Sequence, residues 1–240
     1  MKHLNTLHFT YRYTAGRGKE QMMEALENRM IQFTSQKFGG MLTLNAIPGH
    51  FVTSHSHVNF FIDLTMLKAS VDDCEKCAHM MASQYHSLES VDTVVCLDGT
   101  GIIGTFLGRE LQRINASEDR KPVYVICPEC AANGEMFFRD NVESIVRGKN
   151  IVLLMATIST GTSITRGMEC IQYYGGNLLN VFTVFSAIDQ KDGVPISTIF
   201  TRDDIPGYAS YLREQCPYCK NHTPIDALVS SYGYSRFTNQ

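Results

Sequence analysis

Five short apolar runs alternate with amphipathic stretches from Asp92 onward, and this alternation constrains the fold more than any single motif. "DTVVCL", "PVYVIC", "NIVLLM", "NVFTVFSAI" and "VPISTIF" read as strands. "GIIGTFLGRELQRI" and "SITRGMECIQYYGG" repeat apolar residues at helical spacing, the second ending at glycine. Strands that are apolar along their length are buried on both faces, so the pattern predicts an α/β fold with a mainly parallel sheet flanked by helices. Ligands of such sheets bind at the carboxyl ends of the strands.

Earlier in the chain, residues 19–38 ("KEQMMEALENRMIQFTSQKF") predict a helix stopped by Gly39-Gly40. "MLTLNAIPGHFVTSHSHVNFFIDL" predicts short strands or a hairpin broken at Pro48-Gly49. A helix is expected from about Val71 to Ser87, with Ser70 as N-cap and Asp72 and Asp73 in its first turn.

Two strands run into glycine-containing turns ahead of a helix. The first turn holds Asp98, Gly99, Thr100 and Gly101; the second holds Ser159, Thr160, Gly161, Thr162 and Ser163. Glycine lets backbone N–H groups approach an anion, and the helix start adds its positive dipole end. Either turn alone is better read as a tight βα connection with an N-cap. Two in one domain favour a ligand with two separate phosphates.

These segments, in this order, resemble the type I phosphoribosyltransferases, and specifically the orotate phosphoribosyltransferases. "FVTSHSHVNFFIDL" is similar to that family's N-terminal segment, "VDTVVCLDGTGIIGTFLGREL" to its pyrophosphate-loop strand and helix, and "GKNIVLLMATISTGTSI" to its signature strand and 5-phosphate loop. "AIDQKDG" with "VPISTIF", and the tail "CPYCKNHTPID", extend the likeness over roughly residues 35 to 226.

The resemblance implies one phosphoribosyltransferase-like domain over residues 1–240. Its hood would come from about 1–65 and 205–240, and its core from about 66–204. It implies phosphoribosyl pyrophosphate or a nucleotide as ligand, and a homodimer. In an active member, magnesium supports transfer of phosphoribose to a pyrimidine-type base. Carried over by position, Ser159–Ser163 would cradle the 5-phosphate, Asp98–Gly101 the pyrophosphate, and His57 and Gln190 would stand near the substrate.

Several positions depart from the family pattern. Met155 and Ala156 replace the acidic pair that grips the ribose hydroxyls, and Gln190 replaces an arginine, with Lys191 beside it. The segment matching the mobile catalytic loop, "CPECAANGEMFF", has no Lys, Arg or His. Removing one preorganised electrostatic contact costs about 10²–10³ in rate. A catalytically degenerate phosphoribosyl or nucleotide binder with a structural zinc site is therefore the alternative to an active transferase.

Six of the eight cysteines form three C-x-x-C pairs: Cys74/Cys77, Cys127/Cys130 and Cys216/Cys219. Two pairs supply the four thiolates of a tetrahedral zinc site. Six free thiols and a redox pair are the alternatives. On the family's fold the three pairs are expected to gather near one side. His50, His55 and His57 are read as a polar strand facing the substrate rather than as metal ligands. Cys96 and Cys170 are read as small core residues, and Phe60, Phe61, Phe137 and Phe138 as core or dimer contacts.

A net charge of −3 gives no basic footprint for nucleic acid. No apolar run approaches the roughly 18–20 residues that span a bilayer, so no membrane association is expected. The start lacks the apolar region of a signal peptide, and a cytoplasmic location is expected.

Overall fold

The sequence runs form the sheet they predict. The computed structural model describes residues 26–114, 121–131 and 135–237. In chain order the strands are β1 (Ile31–Thr34), β2 (Thr43–Val52), β3 (His57–Asp63), β4 (Thr93–Cys96), β5 (Tyr124–Ile126), β6 (Glu129–Cys130), β7 (Met136–Phe137), β8 (Asn150–Ile158), β9 (Asn177–Ser186), β10 (Gln190–Lys191), β11 (Val194–Thr201), β12 (Ser210–Tyr211), β13 (Ala227–Ser230) and β14 (Gly233–Ser235). The helices are α1 (Thr65–Ala69), α2 (Val71–Ala82), α3 (Gly101–Ile114), α4 (Thr162–Tyr173) and α5 (Pro217–Lys220). None is long and apolar enough to cross a membrane.

One sheet has the order β10-β11-β9-β8-β4-β5, with every pair parallel except the short antiparallel edge β10. Successive residues of its central strands enter opposite layers. Val94, Leu154 and Phe182 pack with Met81 of α2 and Leu107 of α3. Val95, Leu153 and Val181 pack with Ile164 and Ile171 of α4. Both faces are covered, which is why these strands read as continuous apolar runs. The approach of α3 is close enough to require glycine: a Cβ on Gly104 would lie 2.2 Å from Cys96 Sγ. Cys96 and Cys170 are buried as expected.

A second sheet joins strands from distant parts of the chain in the order β12-β3-β2-β13-β14, with β1 also paired to β2. The β2–β3 hairpin matches the sequence expectation, and Pro48 lies at a register shift inside β2 instead of ending it. β13 runs parallel to β2, pairing Ala227 with Phe51 and Leu228 with Val52. Ser70 caps α2 by accepting the Asp73 N–H, but α2 stops at Ala82 rather than continuing to Ser87.

The helix expected over 19–38 is corrected where it is described; residues 19–25 lie outside the described part. Leu26–Arg29 form a single 3₁₀ turn and Ile31–Thr34 form β1, in antiparallel register from Ile31↔Ala46 to Thr34↔Thr43. Pairing with the open edge of β2 satisfies N–H and C=O groups on both strands, and this tertiary gain outweighs a helical spacing of apolar residues. Gly39 and Gly40, both at positive φ, belong to the connection into β2 and do not end a helix.

Candidate functional site

The carboxyl end of β8 opens onto a pocket of about 240 Å³ between the two sheets. Ala156 to Ile164 form one wall, the Thr53–His55 turn and Phe60 and Phe61 of β3 another, and Val229–Ser231 a third. Asp98 and Tyr208 also line it. Gly161 sits at φ 82° as the N-cap residue of α4. This left-handed step turns the chain from strand to helix and leaves the first N–H groups of α4 without intrahelical partners. Hydroxyls of Ser159, Thr160, Thr162 and Ser163 surround the same turn, all on the pocket lining. Such an arrangement binds a phosphate through neutral donors and the helix dipole.

Lys191 lies beside the turn, its Cδ 3.7 Å from the position of a Cβ on Gly161, and its ammonium pairs with Asp192 at 3.4 Å. Gln190 lies on the exposed edge strand β10 and does not line the pocket. Met155 is buried in the layer under α4, so of these two residues only Ala156 lines the pocket.

The other glycine turn is differently placed. Asp98 and Gly99 both have positive φ, 58° and 73°. Asp98 Oδ1 accepts from Ser231 Oγ at 3.1 Å, and Oδ2 accepts from the Ala156 N–H at 3.4 Å. Burial pushes the Asp98 carboxyl above the usual aspartate range, against the pull of these bonds and of Lys68. Lys68 Nζ donates to the Asp98 carbonyl at 2.6 Å and to the Ser231 carbonyl at 2.5 Å, and lies 5.4 Å from the Tyr232 ring centre. Tyr232 covers Gly99: its Cε1 is 3.3 Å from where a Cβ would sit. Thr100 is buried and its hydroxyl donates to the Leu97 carbonyl. Of the four residues of the expected pyrophosphate turn, Asp98 lines the pocket and Gly99, Thr100 and Gly101 do not. The cover comes from the β13–β14 hairpin, which no motif in the sequence announced.

The "CPECAANGEMFF" segment forms the small hairpin β6–β7, with residues 132–134 outside the described part. Arg139, the first cation after it, makes a two-bond pair with Glu129 at 2.8 and 2.7 Å. Cys127 is exposed at the end of β5, its Sγ 3.9 Å from a Cβ position on Gly101 at the start of α3. A hydrogen bond from Cys96 lowers the Cys127 thiol to about 6, although burial opposes it. Of the aromatics, Phe61 and Phe138 are buried, while Phe60 and Phe137 are half-buried.

The cysteine pairs do not gather. Cys74 and Cys77 are buried in α2 within the apolar core, where burial drives both thiols up, Cys74 to about 11. Cys127 and Cys130 are exposed on a different segment. Cys216 and Cys219 instead meet His50 and His57, the donor atoms of all four lying within 4.8 Å of one another. This corrects both the expectation that two cysteine pairs combine and the substrate-facing reading of His57. The hairpin register explains it. His55 belongs to the turn closed by the Thr53 N–H to Ser56 carbonyl bond, so strand alternation does not relate it to His57. His55 lines the pocket, whereas His57 and His50 point away from it toward the α5 segment.

Among the described residues, the pocket lining by itself supplies few ligands for magnesium, an ion commonly held by one or two carboxylates together with substrate phosphates. Magnesium prefers carboxylate and water oxygens. Asp98 is the one carboxylate lining the pocket among the described residues, and both its oxygens are engaged.

A parallel α/β sheet with a glycine-containing strand-to-helix turn at its carboxyl edge, in the motif order described above, is similar to the type I phosphoribosyltransferases. The similarity in sequence is to orotate phosphoribosyltransferases. The protein of that name from Chlorobium phaeobacteroides is 27% identical over 187 residues, covering 75% of this chain and 87% of the relative. The one from Chlorobaculum parvum is 24% identical over the same shares. Among solved structures, a phosphoribosyltransferase from Corynebacterium diphtheriae overlaps 67% of this chain and 90% of its own, at 16% identity and a TM-score of 0.48. No family model matches the chain.

Proposed function

We propose that the pocket binds the 5-phosphate of a ribose ester, phosphoribosyl pyrophosphate or a nucleoside 5-monophosphate, on the Thr160–Ser163 turn. The observation that carries this reading is the turn itself: four hydroxyl residues around a left-handed Gly161, opening on a pocket beside the sheet. The likeness to proteins named orotate phosphoribosyltransferase supports a pyrimidine-type base as the second substrate, wherever transfer occurs.

Binding with little or no transfer is the reading the site favours. Ala156 offers no acceptor for the ribose hydroxyls, Tyr232 covers the turn that would receive the leaving pyrophosphate, and Arg139 is engaged with Glu129. With each lost contact costing about 10²–10³, loss of the acidic pair together with the cations of the loop leaves transfer slow. Calorimetric titration with phosphoribosyl pyrophosphate, uridine 5-monophosphate and ribose 5-phosphate, alongside a pyrophosphate-release assay with orotate, tests both parts. The expected result is binding of each phosphate ester in competition with inorganic phosphate, with slow or absent release. Failure of all three esters to bind overturns the reading; rapid release overturns its second part.

A further inference from the structure

We propose that His50, His57, Cys216 and Cys219 bind a zinc ion that fastens the β2–β3 hairpin to the segment carrying α5.

The four groups come from three separate segments and converge on one point. His50 Nε2 lies 3.6 Å from both Cys216 Sγ and Cys219 Sγ, and His57 Nδ1 lies 3.4 Å from Cys219 Sγ. Zinc bound at about 2.3 Å from sulfur and about 2.0–2.1 Å from nitrogen, in tetrahedral geometry, sets nitrogen and sulfur ligands about 3.5 Å apart. The observed spacings match. The two ring nitrogens, 2.9 Å apart, need to spread by about 0.4 Å to meet the same geometry.

The surroundings prepare the donors. His50 Nδ1 lies 3.0 Å from the Thr223 carbonyl, which only accepts, so Nδ1 carries the proton and Nε2 presents its lone pair to the cluster. The Tyr218 ring stacks on His50 at 5.2 Å between centres, fixing the imidazole plane. The His50 N–H is held by Asp226 Oδ2 at 2.8 Å, and Asp226 Oδ1 pairs with Arg29 at 2.7 Å. Cys216 begins the short helix α5 and Cys219 lies on its first turn, the compact geometry in which a C-x-x-C pair chelates one ion. His50, His57 and Cys216 are all buried, which limits solvent access to the ion.

The site is separate from the phosphate pocket but mechanically joined to it. β13 follows the α5 segment, pairs with β2 at Phe51 and Val52, the two residues after His50, and ends at Ser230, which with Ser231 lies on the pocket wall. An ion here would hold that wall against the hairpin.

Metal analysis of the purified, tag-free chain should find one zinc per molecule. The same content is expected in C127S/C130S, whose cysteines are exposed and remote from the cluster, and zinc should be lost in C216S/C219S. Replacement of zinc by cobalt in the wild-type chain should give thiolate-to-cobalt charge-transfer absorption together with the intense visible bands of a tetrahedral ion. That spectrum decides the question if C216S/C219S fails to fold. A wild-type chain that neither retains zinc nor binds it on titration overturns the proposal. So does retention of zinc by folded C216S/C219S, or a cobalt complex without thiolate charge transfer.

Discussion

Replacing Gly161 with alanine separates the proposed ligand role of the Thr160–Ser163 turn from its structural role. The residue sits at φ 82°, where an L-amino acid costs about 1–2 kcal/mol. The new methyl would lie 3.3 Å from Ile188 Cδ1, the end of a flexible side chain, so steric cost adds little. In a chain of this size each kcal/mol lowers the melting temperature by about 2–4 °C. Gly148 supplies the control, with φ 64° and nothing within 4 Å of its Cβ position, far from the pocket. Both Gly161→Ala and Gly148→Ala should therefore melt a few degrees lower. Relaxation of the Gly161 dihedral also re-aims the adjoining N–H groups, so only Gly161→Ala should weaken phosphate binding, by about tenfold or more. A tenfold loss removes about 1.4 kcal/mol of ligand-induced stabilisation. Thermal denaturation with and without phosphoribosyl pyrophosphate reads both quantities. Equal ligand-induced shifts in the two variants would refute the assignment of this turn as the phosphate cradle.

Three further outcomes are expected. Cys127, lowered to about 6 by Cys96, should be the first thiol alkylated by iodoacetamide at pH 7, read by peptide mass spectrometry; prior labelling of exposed Cys130 would contradict this. Asp98 has its folded-state value raised by burial, so ionising it opposes folding, and its contribution worsens as pH climbs above the ordinary 3.8. The stability of Asp98→Asn relative to wild type, from urea unfolding, should therefore improve between about pH 4 and 7; a flat or falling difference would count against it. Gly104→Ala forces a methyl against Cys96 Sγ and should cost about 1–3 kcal/mol by overpacking, largely recovered in the C96A/G104A double variant. Strictly additive losses would show that this contact is not the cause.

The parallel sheet was legible because its strands are buried on both faces: β4, β8 and β9 appear as apolar runs, and α3 fills the whole of "GIIGTFLGRELQRI". Ser70 at the start of α2 was legible for an equally local reason, since its cap bond reaches only to Asp73. Residues 31–34 misled because Met30, Phe33 and Phe38 have helical spacing, and nothing local reveals that β2 offers them an edge. The turn proposed to hold the phosphate lies in one contiguous motif, so its place between β8 and α4 could be read from sequence. The cluster of His50, His57, Cys216 and Cys219 could not, because the β2–β3 hairpin brings His57 to His50, and Cys216 and Cys219 reach them through a return of the chain from far downstream. The Tyr232 cover depends on the same long-range return.

The insertion of β13 beside β2 has a consequence for how the molecule is made. Ala227 must find Phe51 across nearly the full described length of chain, a contact of the kind that slows folding. While the polypeptide is still emerging from the ribosome, the edge of β2 beyond Phe51 has no neighbour to receive it. The third wall of the ligand cavity is thus the last piece to arrive, and a nascent chain stopped short of residue 227 would expose an unfinished sheet.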